Sequence, residues 1–220
     1  MPLDTSWAES WIRLSAQSVA EHREELTALD TAIGDGDHGS NLDRGMCAAV
    51  AALDDADALP TPGAVLKLTA TTLISTVGGA AGPLIGTAFL RAAREADAPV
   101  LDAPGTARMV AAASEGVHAR GHAETGDKTM ADAWAAAACA AQAAVTRVGQ
   151  SEDAPAVVLE AAALAAAEGA RATEPMKARR GRASYLGERS CGYRDPGAVS
   201  TALILEAAAQ TARQACEVRG

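Results

Sequence analysis

The chain has 220 residues and a formal net charge of -9, with a sequence pI of about 4.9. That length supports one large domain with a real core. An acidic surface repels phosphate backbones and anionic lipid, which argues against nucleic-acid and membrane-surface binding but not against a nucleotide bridged by metal ions.

Hydrophobic residues make up 49% of the sequence and aromatics only 3%. The apolar material is largely alanine, the best helix former, whereas strands favour β-branched and aromatic residues. About eight helices are expected in chain order. The first runs from Asp4 or Thr5 to Leu29, with Trp7, Trp11, Leu14, Val19, His22 and Leu26 on one stripe. The second covers Gly39 to Leu53. The third follows Thr61-Pro62 and reaches Thr76, and the fourth runs from Pro83 to near Ala96. The fifth spans Gly105 to Arg120, the sixth Thr129 to Val148 and the seventh Ala154 to Arg171. The last runs from Asp195-Pro196 to Cys216. No strand-like alternation, Pro/Ser-rich linker or fixed-period repeat interrupts them. The expected fold is all-α, a single-domain bundle or closed barrel of antiparallel amphipathic helices over 1–220. One connection, 173–194, is too long and too rich in Arg, Tyr, Ser and Gly to be a simple turn, so a functional role is expected.

Cys47, Cys139, Cys191 and Cys216 form no Cys-x-x-Cys pair, which suits free thiols in a reducing cytosol, and they read as small core residues. The N-terminus has neither a basic patch nor an apolar segment, and the alanine-rich runs are too short to span a bilayer, so a cytoplasmic protein without a signal peptide is expected.

The strongest chemical signal is Leu29-Asp30-Thr31-Ala32-Ile33-Gly34-Asp35-Gly36-Asp37-His38-Gly39-Ser40-Asn41. Three aspartates crowd a glycine-broken turn between two helices. Their mutual repulsion makes sense with a cation present, and hard divalent ions take oxygen ligands. The bland alternative is a solvated acidic turn with Asp as helix cap. The segment also matches Gly-x-Gly-x-x-Gly, but no strand precedes it and its aspartates would face the pyrophosphate. It lacks the EF-hand spacing, and no P-loop sequence is present.

Three further segments carry weaker signals. Gly78-Gly79-Ala80-Ala81-Gly82-Pro83 could bring backbone N–H groups to a ligand, or merely let helices pack closely. Gly121 to Asp132 contains Gly-Asp-Lys-Thr-Met and a cap for the sixth helix, either Asp127 or Thr129. Gly181-Arg182-Ala183-Ser184-Tyr185-Leu186-Gly187-Glu188-Arg189, continuing to Asp195-Pro196-Gly197, suits phosphate contact or a solvated surface loop.

Together, in this order and over nearly the whole chain, these segments resemble the nucleotide-binding (L) subunit of bacterial dihydroxyacetone kinases. The resemblance implies a closed barrel of eight antiparallel helices with ADP or ATP at one end. It implies that Asp30, Asp35 and Asp37 hold two magnesium ions bridging the phosphates. His38, Gly39, Ser40 and Asn41 would meet those phosphates, and Gly79 and Ala80 would add backbone contacts. Gly121 and Met130 would line the adenine and ribose. Arg182 and Asp195 would belong to a covering loop, with Pro196 and Gly197 also touching the nucleotide. Ala80-Ala81 stand where the family often has Ser or Thr, so a hydroxyl contact to a phosphate is expected to be missing.

The resemblance also implies an incomplete kinase of glycerol metabolism. Dihydroxyacetone would be held by a separate K subunit, for which a chain of 220 residues has no room. Bound ADP would be rephosphorylated by a phosphotransferase-system phosphoprotein, the M subunit. The alternatives are an ATP-dependent kinase subunit for another small polyol or ketose, and a nucleotide-bound regulatory protein that engages a transcriptional regulator. Asp30→Ala or Asp37→Ala is expected to abolish nucleotide retention and leave the fold intact.

Overall fold

The structure, a computed structural model, describes residues 3–149 and 151–217, with side chains to position 214. Nine α-helices account for most of the described residues: α1 (Thr5–Glu21), α2 (Arg23–Ile33), α3 (His38–Asp54), α4 (Pro62–Thr76), α5 (Ala81–Glu95), α6 (Ala103–Gly121), α7 (Met130–Val148), α8 (Ala154–Ala172) and α9 (Pro196–Glu217). A 3-10 segment, Arg182–Ser190, lies within the long connection. The described residues contain no strand beyond an isolated bridge between Leu3 and Leu101.

The first expected helix is in fact two. His22 leaves helical geometry (φ -100°, ψ 10°) and its Nδ1 sits 2.8 Å from the Ser18 carbonyl, so the chain bends there. The other starts follow their caps. Asp4, Thr61 and Asp102 each accept from a backbone N–H one turn in, and Thr129 forms a capping box with Asp132. The sixth expected helix is thus capped by Thr129 rather than Asp127.

Helices α1 and α3 to α9 make the staves of a closed ring. From α3 onward each stave packs on the next in chain order, α9 returns to α1, and α1 packs on α3. Short connections make neighbours antiparallel. Helix α2 lies outside the ring, against α3, α9 and the 3-10 segment. Small residues allow the staves to approach closely, and the few large ones fill the middle. Trp7 stacks on Trp11 at 5.2 Å, and Trp11 meets Phe89 at 5.4 Å. The two indoles donate to the Ala208 and Ile204 carbonyls, pinning α1 to α9. The gap left among Trp11, Phe89, Met109 and Trp134 is only about 10 Å³, room for a water at most.

The cysteines do not join this core. Cys47 and Cys139 are exposed and Cys191 is half-buried, because each falls on the outer face of its helix or loop. The side chain of Cys216 lies outside the described residues. No described helix is long and apolar enough to cross a membrane.

Candidate nucleotide and metal site

One end of the ring holds a cavity of about 530 Å³, within the usual range for small-molecule sites. The turn between α2 and α3 forms one wall. Asp30, near the end of α2, is buried, and its Oδ2 accepts the backbone N–H groups of Asp37 (2.8 Å) and His38 (3.0 Å). Those two bonds fold the turn back on itself. Gly36, at φ 76°, occupies the left-handed region within it. Asp37 precedes α3 without a side-chain cap bond, so its carboxylate is free to point elsewhere.

The result is a cluster. One carboxylate oxygen from each of Asp30, Asp35 and Asp37 lies within 4.8 Å of the other two. Three hard oxygen donors at this separation, two of them accessible, fit a divalent cation such as magnesium. Arg182 supplies a counter-charge from across the cavity, 3.1 Å from Asp35. Asp30 therefore braces the turn as well as facing the cluster.

Three helix N-termini converge on the same space. His38 and Asn41 bring the start of α3, Ala80 and Ala81 the start of α5, and Pro196 and Gly197 the start of α9. The first N–H of α3 is taken by Asp30, whereas α5 has no side-chain cap and its first N–H groups remain available to an anion. Gly79, at φ 67°, permits the approach to α5. Leu84, Val117 and Met130 make an apolar side.

Two groups behind the phosphate end are electrostatically unusual. The Asp195 carboxyl is pushed up to about 7 by burial, with Asp132 and Asp30 adding to the effect; the Ala198 N–H and Lys128 oppose it. Burial lowers the His38 imidazole against the pull of Asp30 and Asp37, and its Nε2 lies 3.0 Å from the Ser200 hydroxyl. His38 thus packs and hydrogen-bonds within the wall of the site.

Asp30, Asp35, Asp37, His38, Asn41, Gly79, Ala80, Gly121, Met130, Arg182, Asp195, Pro196 and Gly197 all line the cavity. Gly39 and Ser40 do not. Gly39 is buried against α2, where a Cβ would lie 2.2 Å from the Arg23 carbonyl oxygen. Ser40 is exposed, its hydroxyl donating to the Asp37 carbonyl. Lys128, Arg120 and Arg180, which the sequence analysis does not place in the site, also line the cavity, as does the helix cap Thr129. Arg180 could have been found from the basic run that follows Met176. A lysine in a turn ordinarily reads as solvated, and nothing local marks Lys128 as buried.

The chain is similar to known proteins over most of its length. The model of the DAK2 domain family matches residues 32–210. The ADP-binding subunit DhaL of the PEP-dependent dihydroxyacetone kinase of Escherichia coli K12 is 41% identical over 97% of this chain and 100% of its own. The corresponding subunit of PEP-dependent dihydroxyacetone kinase 1 of Listeria innocua is 40% identical over 96% of this chain and 98% of its own. Among solved structures, the C. freundii dihydroxyacetone kinase in complex with AMP-PNP and Mg2+ shares the fold at TM-score 0.65 and 22% identity. That match covers 96% of this chain and 34% of the C. freundii chain, so this chain spans about a third of that kinase. With a family model over most of its length and relatives of this identity aligned end to end, the chain belongs to the DAK2 domain family.

Proposed function

We propose that this chain is the cytoplasmic ADP-binding subunit of a dihydroxyacetone kinase. It would pass a phosphoryl group from a magnesium-bound nucleotide to dihydroxyacetone held on a separate K subunit. Bound ADP would be recharged by a phosphotransferase-system phosphoprotein, the M subunit. The observation that carries this reading is the opening of the three-aspartate cluster onto a nucleotide-sized cavity that also holds the uncapped N-terminus of α5. Full-length similarity to two ADP-binding kinase subunits supports the choice of nucleotide and acceptor.

Asp30, Asp35 and Asp37 are the residues that would hold two magnesium ions. When bound, the magnesium-nucleotide supplies the phosphoryl group and neutralises charge that builds up during its transfer. The chain's own residues position that reaction. The uncapped α5 N-terminus would orient phosphate oxygens through its backbone N–H groups. Leu84, Val117 and Met130 shield the base from water. Arg182 sits on the rim, where a guanidinium balances negative charge between the two subunits. Residues 173–194 cover the cavity, bringing Arg180, Gly181, Arg182 and Ala183 to its edge. No general base need come from this chain.

Titration calorimetry with magnesium and ADP, on protein stripped of resident nucleotide with EDTA, tests the reading. The parent protein should bind and Asp37→Ala should not, while circular dichroism of the two coincides. Equal ADP binding by both would remove the carboxylate cluster from the site.

A further inference from the structure

Lys128 is 1% exposed, the most deeply buried cation in the described chain, and it sits at φ 62°, where few residues other than glycine are found. Its ammonium donates to three backbone carbonyls: Thr173 at 2.7 Å, Glu174 at 3.4 Å, and Tyr193. Thr173 and Glu174 begin the 173–194 loop and Tyr193 is near its end. One side chain from the α6–α7 turn thus ties both ends of that loop together, using all three of its donors.

The neighbouring residue grips the same loop further along. The Asp127 carbonyl accepts from the Arg179 N–H at 3.0 Å, and its carboxylate is paired with Arg180 at 3.2 Å. Asp127 and Lys128 are therefore two prongs of one clasp. The loop they hold carries Arg180 and Arg182 on the cavity rim. Within the loop, the Gly192 N–H donates to the Glu174 carbonyl, and the Ala178 N–H to the Ser190 hydroxyl, so the loop is internally braced.

We infer that Lys128 is a positioning residue whose ammonium locks the 173–194 loop over the cavity and thereby sets how long a bound nucleotide stays there. The second half of this inference rests on the nucleotide-site reading; the first does not. With its three N–H donors given to carbonyls, the ammonium has none left for a phosphate. Its effect reaches the site through Arg180 and Arg182. The clasp makes the loop a fixed wall, which suits a nucleotide recharged in place rather than exchanged at each turnover.

The test uses the full chain with Lys128→Met, a side chain of similar length without donors. Two quantities are read. Trypsin cleavage after Lys177, Arg179, Arg180, Arg182 and Arg189, located by mass spectrometry, reports loop opening, since cleavage needs local unfolding. The dissociation rate of methylanthraniloyl-ADP in excess magnesium, loaded after resident nucleotide is stripped with EDTA, reports residence. Each should rise about tenfold or more, the loss of at least one hydrogen bond to a charged group. Unchanged cleavage in a folded variant overturns the clasp. Faster cleavage with unchanged dissociation overturns the link to the nucleotide. A parent protein that does not bind the labelled ADP at all overturns the nucleotide reading instead, and the clasp is then judged on cleavage alone. If Lys128→Met lacks a native circular dichroism spectrum, Asp127→Asn loosens the other prong. It should speed cleavage about threefold, a weak exposed-partner ion pair's worth, and an unchanged rate overturns the clasp.

Discussion

Asp30 and Asp37 differ in one respect that a pair of variants can measure. Both belong to the carboxylate cluster, so in metal-free buffer replacing either with alanine relieves a similar repulsion. Only Asp30 also binds the turn, accepting the Asp37 and His38 N–H groups at 2.8 and 3.0 Å from a buried position. Its removal strands two donors. Hydrogen bonds to charged groups contribute about 1.5–3 kcal/mol each, and taking the low end twice gives a difference of about 3 kcal/mol. For a chain of this size each 1 kcal/mol moves the melting temperature by roughly 2–4 °C. Asp30→Ala should therefore melt about 6–12 °C below Asp37→Ala when both are heated in EDTA without nucleotide. Because the electrostatic relief is common to the two, the gap isolates the turn bonds. Coincident melting curves would refute the structural role assigned to Asp30.

Gly39→Ala should cost about 1–3 kcal/mol of stability, because its Cβ would meet the Arg23 carbonyl oxygen and the Thr27 N–H, which are backbone atoms that cannot turn aside. Thermal melting checks this, with the exposed Ser40→Ala as a neutral comparison. Asp127 is held below the usual aspartate range, first by the Glu124 N–H and also by Arg180, while burial opposes. Its folded-state pKa is depressed, so its stabilisation is fully present above the ordinary value of about 4 and is lost as pH falls through the lower, folded one. Urea melts of the parent protein and Asp127→Asn should differ at pH 6 and converge towards pH 3; a constant difference would contradict this. Arg182→Ala should leave stability nearly unchanged, since the side chain is 70% exposed. It should weaken nucleotide binding about tenfold and slow transfer when the K subunit is present, and wild-type rates would remove it from the site.

The helices were legible because their signals are local. Alanine content, Thr61-Pro62, the Thr129 cap and Asp195-Pro196 each mark an end within a few residues. The break at His22 was not, because no glycine or proline announces it and the helical stripe continues through it. The aspartate cluster was legible for the same local reason: three ligands share one turn. Gly39 sits in the same run, yet its role is to let α3 approach α2, a tertiary fact that no spacing encodes. Lys128 shows the limit most clearly. Its three acceptors are 45 to 65 residues away in sequence and are backbone atoms, which leave no side-chain trace to pair it with.

The central claim is that this cavity is built for a magnesium nucleotide that stays in place. It is tested most directly by denaturing the purified protein, identifying released nucleotide by chromatography and counting metal by elemental analysis. Near-stoichiometric ADP with about two magnesium ions is the expected result. A protein that releases neither, and that binds neither ADP nor ATP when both are supplied with magnesium, would contradict it.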